Sequence, residues 1–240
     1  MVSRETSLAD GLAALGLRQD VVPLLARLAE ILSSEAVAQG LLGRSDVPRL
    51  VHRHILESCA LAIRAPKVTA LVDVGSGAGL PGLPLSLVLR ARLVCVESRR
   101  KAASFLRRTS ADLGVDAEIV ARPAEEVAHT DLREQFDFVV ARALAPPPVA
   151  LELTIPFARP GGRVAVVVGP SYRATEDAAA RAAVVLGGRA PRYDSLEVPG
   201  AEAATWVMMV DKVARTPERF PRRPGIPRRR PLGGPVTEVK

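Results

Sequence analysis

Cysteine is almost missing from this 240-residue chain: only Cys59 and Cys95 occur, which excludes a disulfide scaffold and any Cys-rich zinc module. Three histidines, His52, His54 and His129, give no metal-ligand cluster, so no metal is expected. Aromatic residues make up 3% of the chain, too few for the base-stacking platform of a single-strand binder. Long apolar runs are also lacking. The longest uncharged stretch, 74–89, is interrupted by glycines and by Pro81 and Pro84, so no membrane span is expected. Glu5 and Asp10 break any N-terminal signal sequence, and a cytoplasmic protein is the expectation. What remains is ordinary globular composition, 48% hydrophobic and 25% charged, in a chain long enough to bury a core without staples.

Lysine is scarce as well, with 4 against 29 arginines, yet the net charge is +7. That excess is local. Residues 212–240 hold nine basic residues and two acids, whereas residues 1–211 hold 24 of each. The basic segment is also rich in proline (FPRRPGIPRRRPLGGP), which obstructs helix and sheet ladders. It therefore reads as an extended arm, either a solvated tail or a segment that orders on phosphates, with Arg222, Arg223, Arg228, Arg229 and Arg230 as candidate RNA contacts.

Hydrophobic periodicity predicts helix over 6–63, and from residue 69 the pattern changes. Short apolar strands are expected near 69–75, 92–97, 117–121, 136–143 and 163–169, the last entered through a Pro160-Gly161-Gly162 turn. Helices are expected from Pro81, over 99–113, 124–127, after Pro146 and over 174–186, with a closing antiparallel pair near 190–197 and 204–212. Alternating strands and helices imply an α/β, doubly wound, Rossmann-like sheet with its ligand at the carboxyl ends of the strands. The organisation expected is a helical extension (1–66), a catalytic core (67–212) and the basic tail (213–240).

The first strand runs into Asp73-Val74-Gly75-Ser76-Gly77-Ala78-Gly79-Leu80-Pro81-Gly82. Glycines there allow a tight turn and close approach of a ligand, and Glu97, 18 residues after Gly79, stands where a carboxylate accepts both hydroxyls of a ribose. The Gly77-x-Gly79-x-x-Gly82 spacing also matches a dinucleotide site. Three features favour S-adenosylmethionine (SAM) over NAD or a purely structural turn: Asp73 just ahead of the glycines, prolines where a pyrophosphate needs N–H donors, and the terminal antiparallel pair. The loop Arg122-Pro123-Ala124-Glu125-Glu126 is a candidate adenine contact, or simply a helix start with favourably placed acids.

The fourth strand continues as Ala141-Arg142-Ala143-Leu144-Ala145-Pro146, with neither an amine-binding Asp/Asn-Pro-Pro-aromatic motif nor a Pro-Cys nucleophile. Guanine N7 suits such a site, because its exposed lone pair needs placement and no general base. Arg142 is the charged candidate for contacting guanine O6 or a phosphate; the alternative is an ion pair with Glu125 or Glu97.

DVGSGAGLPGLPL, VESRRKAASFLR, RPAEE, VVARA, FPRRPGIPRRRPL and the upstream RHILES resemble the small-subunit ribosomal RNA guanine-N7 methyltransferase family, also called glucose-inhibited division protein B, over roughly 40–232. The resemblance implies methyl transfer from SAM to N7 of a guanine in 16S ribosomal RNA; the partner expected is that RNA, free or in a small ribosomal subunit precursor, and a monomer is expected. It places SAM contacts on Gly75, Leu80, Ala124, Glu125 and Arg142; fold logic adds Asp73, Gly77, Gly79 and Glu97. The chain departs from the family pattern at Leu41-Leu42-Gly43 and at Ala141. A small-molecule methyltransferase and a non-catalytic SAM-binding module are the competing readings.

Overall fold

The structure is a computed structural model that describes residues 3–234. Glu238 and Lys240 of the basic segment lie outside the described residues. Among the described residues, no helix is long and apolar enough to cross a membrane.

Seven strands form one sheet in the order β3-β2-β1-β4-β5-β7-β6. They are β1 (Ala70–Val74), β2 (Arg92–Val96), β3 (Ala117–Val120), β4 (Phe136–Arg142), β5 (Ala158–Val168), β6 (Arg192–Leu196) and β7 (Thr205–Asp211). The first five pair in parallel, and β7 enters antiparallel between β5 and β6. Strand order reverses direction between β1 and β4, so the crevice at their carboxyl ends is the expected ligand position. One detail differs from the sequence expectation. Phe136 pairs with Ala158 and Phe138 with Arg163, so Pro160–Gly162 is a bulge inside β5 rather than a turn ahead of it.

Because side chains alternate across a strand, the two faces of the sheet build two cores. Leu71, Leu93, Cys95, Phe138, Val140 and Met209 face one way, against the N-terminal helices, α4 (Gly82–Leu89) and α5 (Arg100–Asp112). Val72, Val94, Val139, Val164, Met208 and Val210 face the other, against α7 (Pro147–Thr154) and α8 (Glu176–Val185). The region read as helical over 6–63 is segmented: α1 (Arg4–Ala14) ends near Gly16, α2 (Val22–Ile31) runs through a π-helical turn toward Gly40, and both glycines take positive φ. A second π-helical turn, Leu50–Leu56, leads into α3 (Glu57–Ala60), which carries charged side chains onto the carboxyl edge of the sheet.

The basic tail is not an extended arm. Phe220 is 4% exposed and joins the second core, a burial worth about 2 kcal/mol. Arg133 donates to the carbonyls of Thr216, Pro217 and Phe220, and His129 Nε2 lies 2.8 Å from the Pro221 carbonyl. Arg222 donates through Nε (2.8 Å) and Nη2 (2.6 Å) to Glu152, which is fully buried in α7. A short helix, α9 (Ile226–Arg229), follows. Proline does exclude ladders here, but side-chain cations and carboxylates satisfy the backbone instead. Arg222, expected on RNA, is thereby committed to Glu152 and to the Arg230 carbonyl (2.7 Å), whereas Arg223, Arg228, Arg229 and Arg230 are exposed.

Candidate functional site

A cleft of about 500 Å³ opens at the carboxyl ends of β1, β2, β3 and β4, lined among others by Gly75, Glu97, Arg99, Ala124, Glu125 and Leu144. Four of the expected cofactor residues, Gly75, Glu97, Ala124 and Glu125, therefore meet in one place. Gly75 takes φ 76°, a left-handed conformation that favours glycine, and a Cβ there would stand 2.6 Å from Leu144 Cδ1, displacing that side chain. Its N–H donates to the Val96 carbonyl at 2.8 Å, pinning the loop to the end of β2.

Glu97 is nearly buried at the cleft. Oε2 accepts the Gly77 N–H at 2.8 Å, and Oε1 accepts the Arg99 N–H at 2.8 Å and Arg99 Nε at 3.2 Å. Gly77 thus serves the site through Glu97. Oε2 keeps lone-pair capacity for a ligand hydroxyl, and Oε1 gains it where a ligand displaces Arg99 Nε. Across the cleft, α6 (Ala124–Val127) opens after Pro123 without a side-chain cap, so its first N–H groups have no side-chain partner.

Asp73, Gly79 and Leu80 are buried and are not among the residues that line the cleft. Asp73 is fully buried and its Oδ2 accepts the Gly82 N–H at 2.9 Å, tying the end of β1 to the start of α4. Burial pushes its carboxyl up to about 7, opposed by the Gly82 hydrogen bond. Leu80 is 9% exposed and belongs to the first core.

Arg142 is the last residue of β4 and shares the face of Phe138 and Val140, toward the N-terminal helices; the chain then turns at Ala143 (φ 51°), and Ala143 and Leu144 line the cleft where Arg142 does not. Its partner is neither Glu125 nor Glu97. Nη2 lies 2.6 Å from His54 Nδ1, and Nη1 lies 3.1 Å from Oε1 of Glu57, a carboxylate that is 1% exposed. Glu57 Oε2 also accepts from Thr205 Oγ1 at 2.5 Å and pairs with Arg53. Burial, then the neighbouring Arg142 charge, lowers the His54 pKa to about 4, against the opposing pull of Asp46. The imidazole is consequently neutral at pH 7, with Nδ1 as acceptor and Nε2 facing Asp46 Oδ1 at 3.4 Å. Periodicity places His54 and Glu57 on the packed face of one helix, yet nothing in their spacing names Arg142, 85 or more positions later, as the partner.

The tail supplies the last wall, which sequence reasoning missed. Pro224 and Arg228 line the cleft; Arg228 donates to the Leu144 carbonyl at 2.9 Å, and Glu125 Oε1 accepts the Gly225 N–H at 3.2 Å. A second anchor ties the tail's base. Lys212, fully buried, lies 3.2 Å from Glu134 and bonds Thr216, and its pKa falls to about 8 through burial. The one available signal was Glu152, a lone acid in the otherwise uncharged stretch 143–158, which demands a cation from elsewhere.

The model of the family described as rRNA small subunit methyltransferase G matches residues 22–199. The chain is 38% identical over 184 residues to ribosomal RNA small subunit methyltransferase G of Dehalococcoides mccartyi strain CBDB1, covering 75% of this chain and 78% of that one. It is 37% identical over 231 residues to the Deinococcus deserti protein of the same name, covering 92% and 93%. In fold it is similar to the O-methyltransferase TomG of Streptomyces achromogenes in complex with SAM, at TM-score 0.55 and 18% identity over 89% of this chain and 100% of that one. M. jannaschii TYW2 in complex with AdoMet aligns at TM-score 0.51 and 14% identity over 65% and 75%. The cleft at the carboxyl ends of β1 to β3 and the match across most of the chain agree: this protein belongs to the rRNA small subunit methyltransferase G family.

Proposed function

We propose that the protein transfers the methyl group of SAM to N7 of one guanosine in 16S ribosomal RNA, presented as free RNA or in a small-subunit precursor. The observation that carries this reading is the β1–β3 cleft with Glu97 on its floor, in a chain of this family. The residues present suit SAM: Glu97 accepts ribose hydroxyls in place of Arg99 Nε, and the Ala124 and Glu125 N–H groups face an adenine edge. When bound, SAM supplies an electrophilic sulfonium methyl group.

The chain's own residues orient and exclude water. Gly75 allows close approach, Asp73 holds the loop to α4 from below, and Pro224 and Arg228 close the open side. The end of β4 presents Ala143 and Leu144 to the cleft, apolar groups that shape a reaction path and move no proton. An acceptor that brings its own lone pair, as guanine N7 does, needs only that placement. Arg142, whose guanidinium is held by His54 and Glu57 at the end of β4, is the candidate contact for guanine O6 or a phosphate. The helical extension (1–66) covers one face of the core (67–212), the exposed arginines of the tail (213–240) hold RNA beside the cleft, and the protein works as a cytoplasmic monomer.

The test is transfer from methyl-labelled SAM to 16S RNA or small subunits, followed by digestion to nucleosides. Label in 7-methylguanosine is the expected result. Label on another atom, or only on small molecules, would refute the reading.

A further inference from the structure

A second cavity, of about 510 Å³, lies on the other side of β4 from the cleft. Its walls come from the end of β5 (Val168, then Gly169 and Pro170), the start of β7 (Trp206), the segment 200–204, and the turns that carry Arg49, His52 and Arg53. Its volume is in the range of sites that enclose a small ligand. It is also linked to the first site. Arg53, on its wall, pairs with Glu57, which pairs with Arg142, and the two residues that follow β4, Ala143 and Leu144, line the cleft. A cofactor over β1 to β3 leaves the ends of β4, β5 and β7 as the side from which an acceptor approaches.

The lining carries three kinds of recognition chemistry. Trp206 offers an indole, fixed by Tyr172 at 5.7 Å and Arg173 at 5.9 Å. Arg49 is half-exposed and engaged by Asp46 at 2.9 Å, and Arg53 is 44% exposed, so guanidinium N–H groups remain for a phosphate. Glu202 is the single acid on the wall. Its segment is seated by His52, whose Nδ1 lies 2.9 Å from the Pro199 carbonyl; a carbonyl only accepts, so Nδ1 carries the proton.

We propose that this cavity receives the target guanosine, with the base stacked near Trp206, its N1–H and N2 amine donated to the Glu202 carboxylate, and its phosphate held by Arg49 and Arg53. Guanine is the base that presents two adjacent donors on its Watson–Crick edge, and a carboxylate accepts both. That arrangement leaves N7, on the opposite edge, clear for attack. Adenine and the pyrimidines place an acceptor against the carboxylate instead. The proposal rests on the guanine-N7 reading above and adds where the acceptor sits and which residues select it.

Trp206 is the chain's only tryptophan, so its emission reports this cavity directly. GMP should quench it saturably, and IMP, which lacks the N2 amine, should bind about tenfold more weakly. Glu202→Gln should bring GMP down to the IMP level, a loss of discrimination that a merely structural role would not produce. Arg49→Ala should weaken GMP and IMP alike. With RNA as substrate, both variants should raise KM roughly tenfold while SAM affinity stays at the wild-type value. A wild-type protein with no saturable GMP response, an unchanged GMP-to-IMP ratio in Glu202→Gln, or wild-type RNA kinetics in both variants would overturn the pocket. The nucleotide titration needs no SAM, so failure of SAM binding or of 7-methylguanosine formation would count against the activity separately.

Discussion

Arg222→Ala tests how the tail is held. The substitution removes Nε and Nη2 from Glu152, leaving that fully buried carboxylate only the Arg222 backbone N–H, at 2.9 Å. Removing one partner of a buried pair costs about 3–5 kcal/mol, because the remaining charge loses both its counter-ion and its access to water. The Arg222 side chain is itself 25% exposed, so water reaches the pair and the lower end, about 3 kcal/mol, is expected. The Nη2 bond to the Arg230 carbonyl goes as well, freeing the α9 segment that places Pro224 and Arg228 on the cleft. Urea unfolding should therefore show a lower midpoint, trypsin should cut faster within 223–230, and SAM affinity should fall with stability. The double variant Glu152→Leu/Arg222→Met replaces charge by packing and should recover most of the loss. A change below about 1 kcal/mol in Arg222→Ala, with unchanged proteolysis, would refute the clamp.

The exposed members of the same segment should behave oppositely: Arg223→Ala, Arg229→Ala and Arg230→Ala should each leave stability within about 0.5 kcal/mol. Each should lower the slope of log affinity for RNA against log salt by about 0.7 to 0.9 per phosphate contact removed, measured by filter binding; an unchanged slope in the triple variant would deny the tail a role on RNA. Arg142→Ala should reduce kcat/KM at least about a hundredfold in methyl-transfer assays with SAM affinity little changed, and wild-type turnover would make this arginine purely structural. His54 yields a pH dependence. Its folded pKa of about 4 lies below the unfolded 6.5, so its contribution is complete above pH 6.5. As pH falls below that, the unfolded chain binds a proton that the folded chain refuses, and up to about 3 kcal/mol is lost by pH 4. His54→Asn keeps an acceptor near Nδ1 and removes the titration, so its denaturation midpoints should be flatter across that window; parallel curves would rule out His54.

The parts of the fold legible in the sequence are those set by local pattern. Runs such as Leu71–Val74 and Leu93–Val96 are buried on both faces and read as parallel strands, and the glycine loop with Glu97 after β2 located the cleft. What was not legible depends on pairing across distance. Arg142 meets His54 and Glu57 because β4 ends under the first helical layer, a consequence of strand order rather than of residue spacing. The tail misled for a related reason: proline and arginine argue against helix and sheet, but they say nothing about a buried carboxylate elsewhere that needs a cation. Glu152, Glu134 and Glu125 answer to Arg222, Lys212 and the Gly225 N–H, and none of these matches has a local sequence signature.

That docking changes what the net charge of +7 means. Part of the basic excess is spent internally, since Arg222 and Lys212 neutralise core acids and hold the tail in place. Arg223, Arg229 and Arg230 stay exposed, and the same segment brings Arg228 onto the cofactor cleft. The exposed arginines and the residues that wall the cleft, Pro224 and Arg228, are thus within one stretch of eight residues, anchored at Arg222. An RNA phosphate that draws on the exposed arginines acts on a rigid neighbour of the cleft rather than on a loose arm. Backbone ordering has already been met on folding, so RNA binding should carry a small ordering cost and a heat-capacity change set by the contact surface alone. Calorimetry with a short RNA over several temperatures measures that term; a change matching the burial of a whole disordered tail would mean that the segment docks only when RNA arrives.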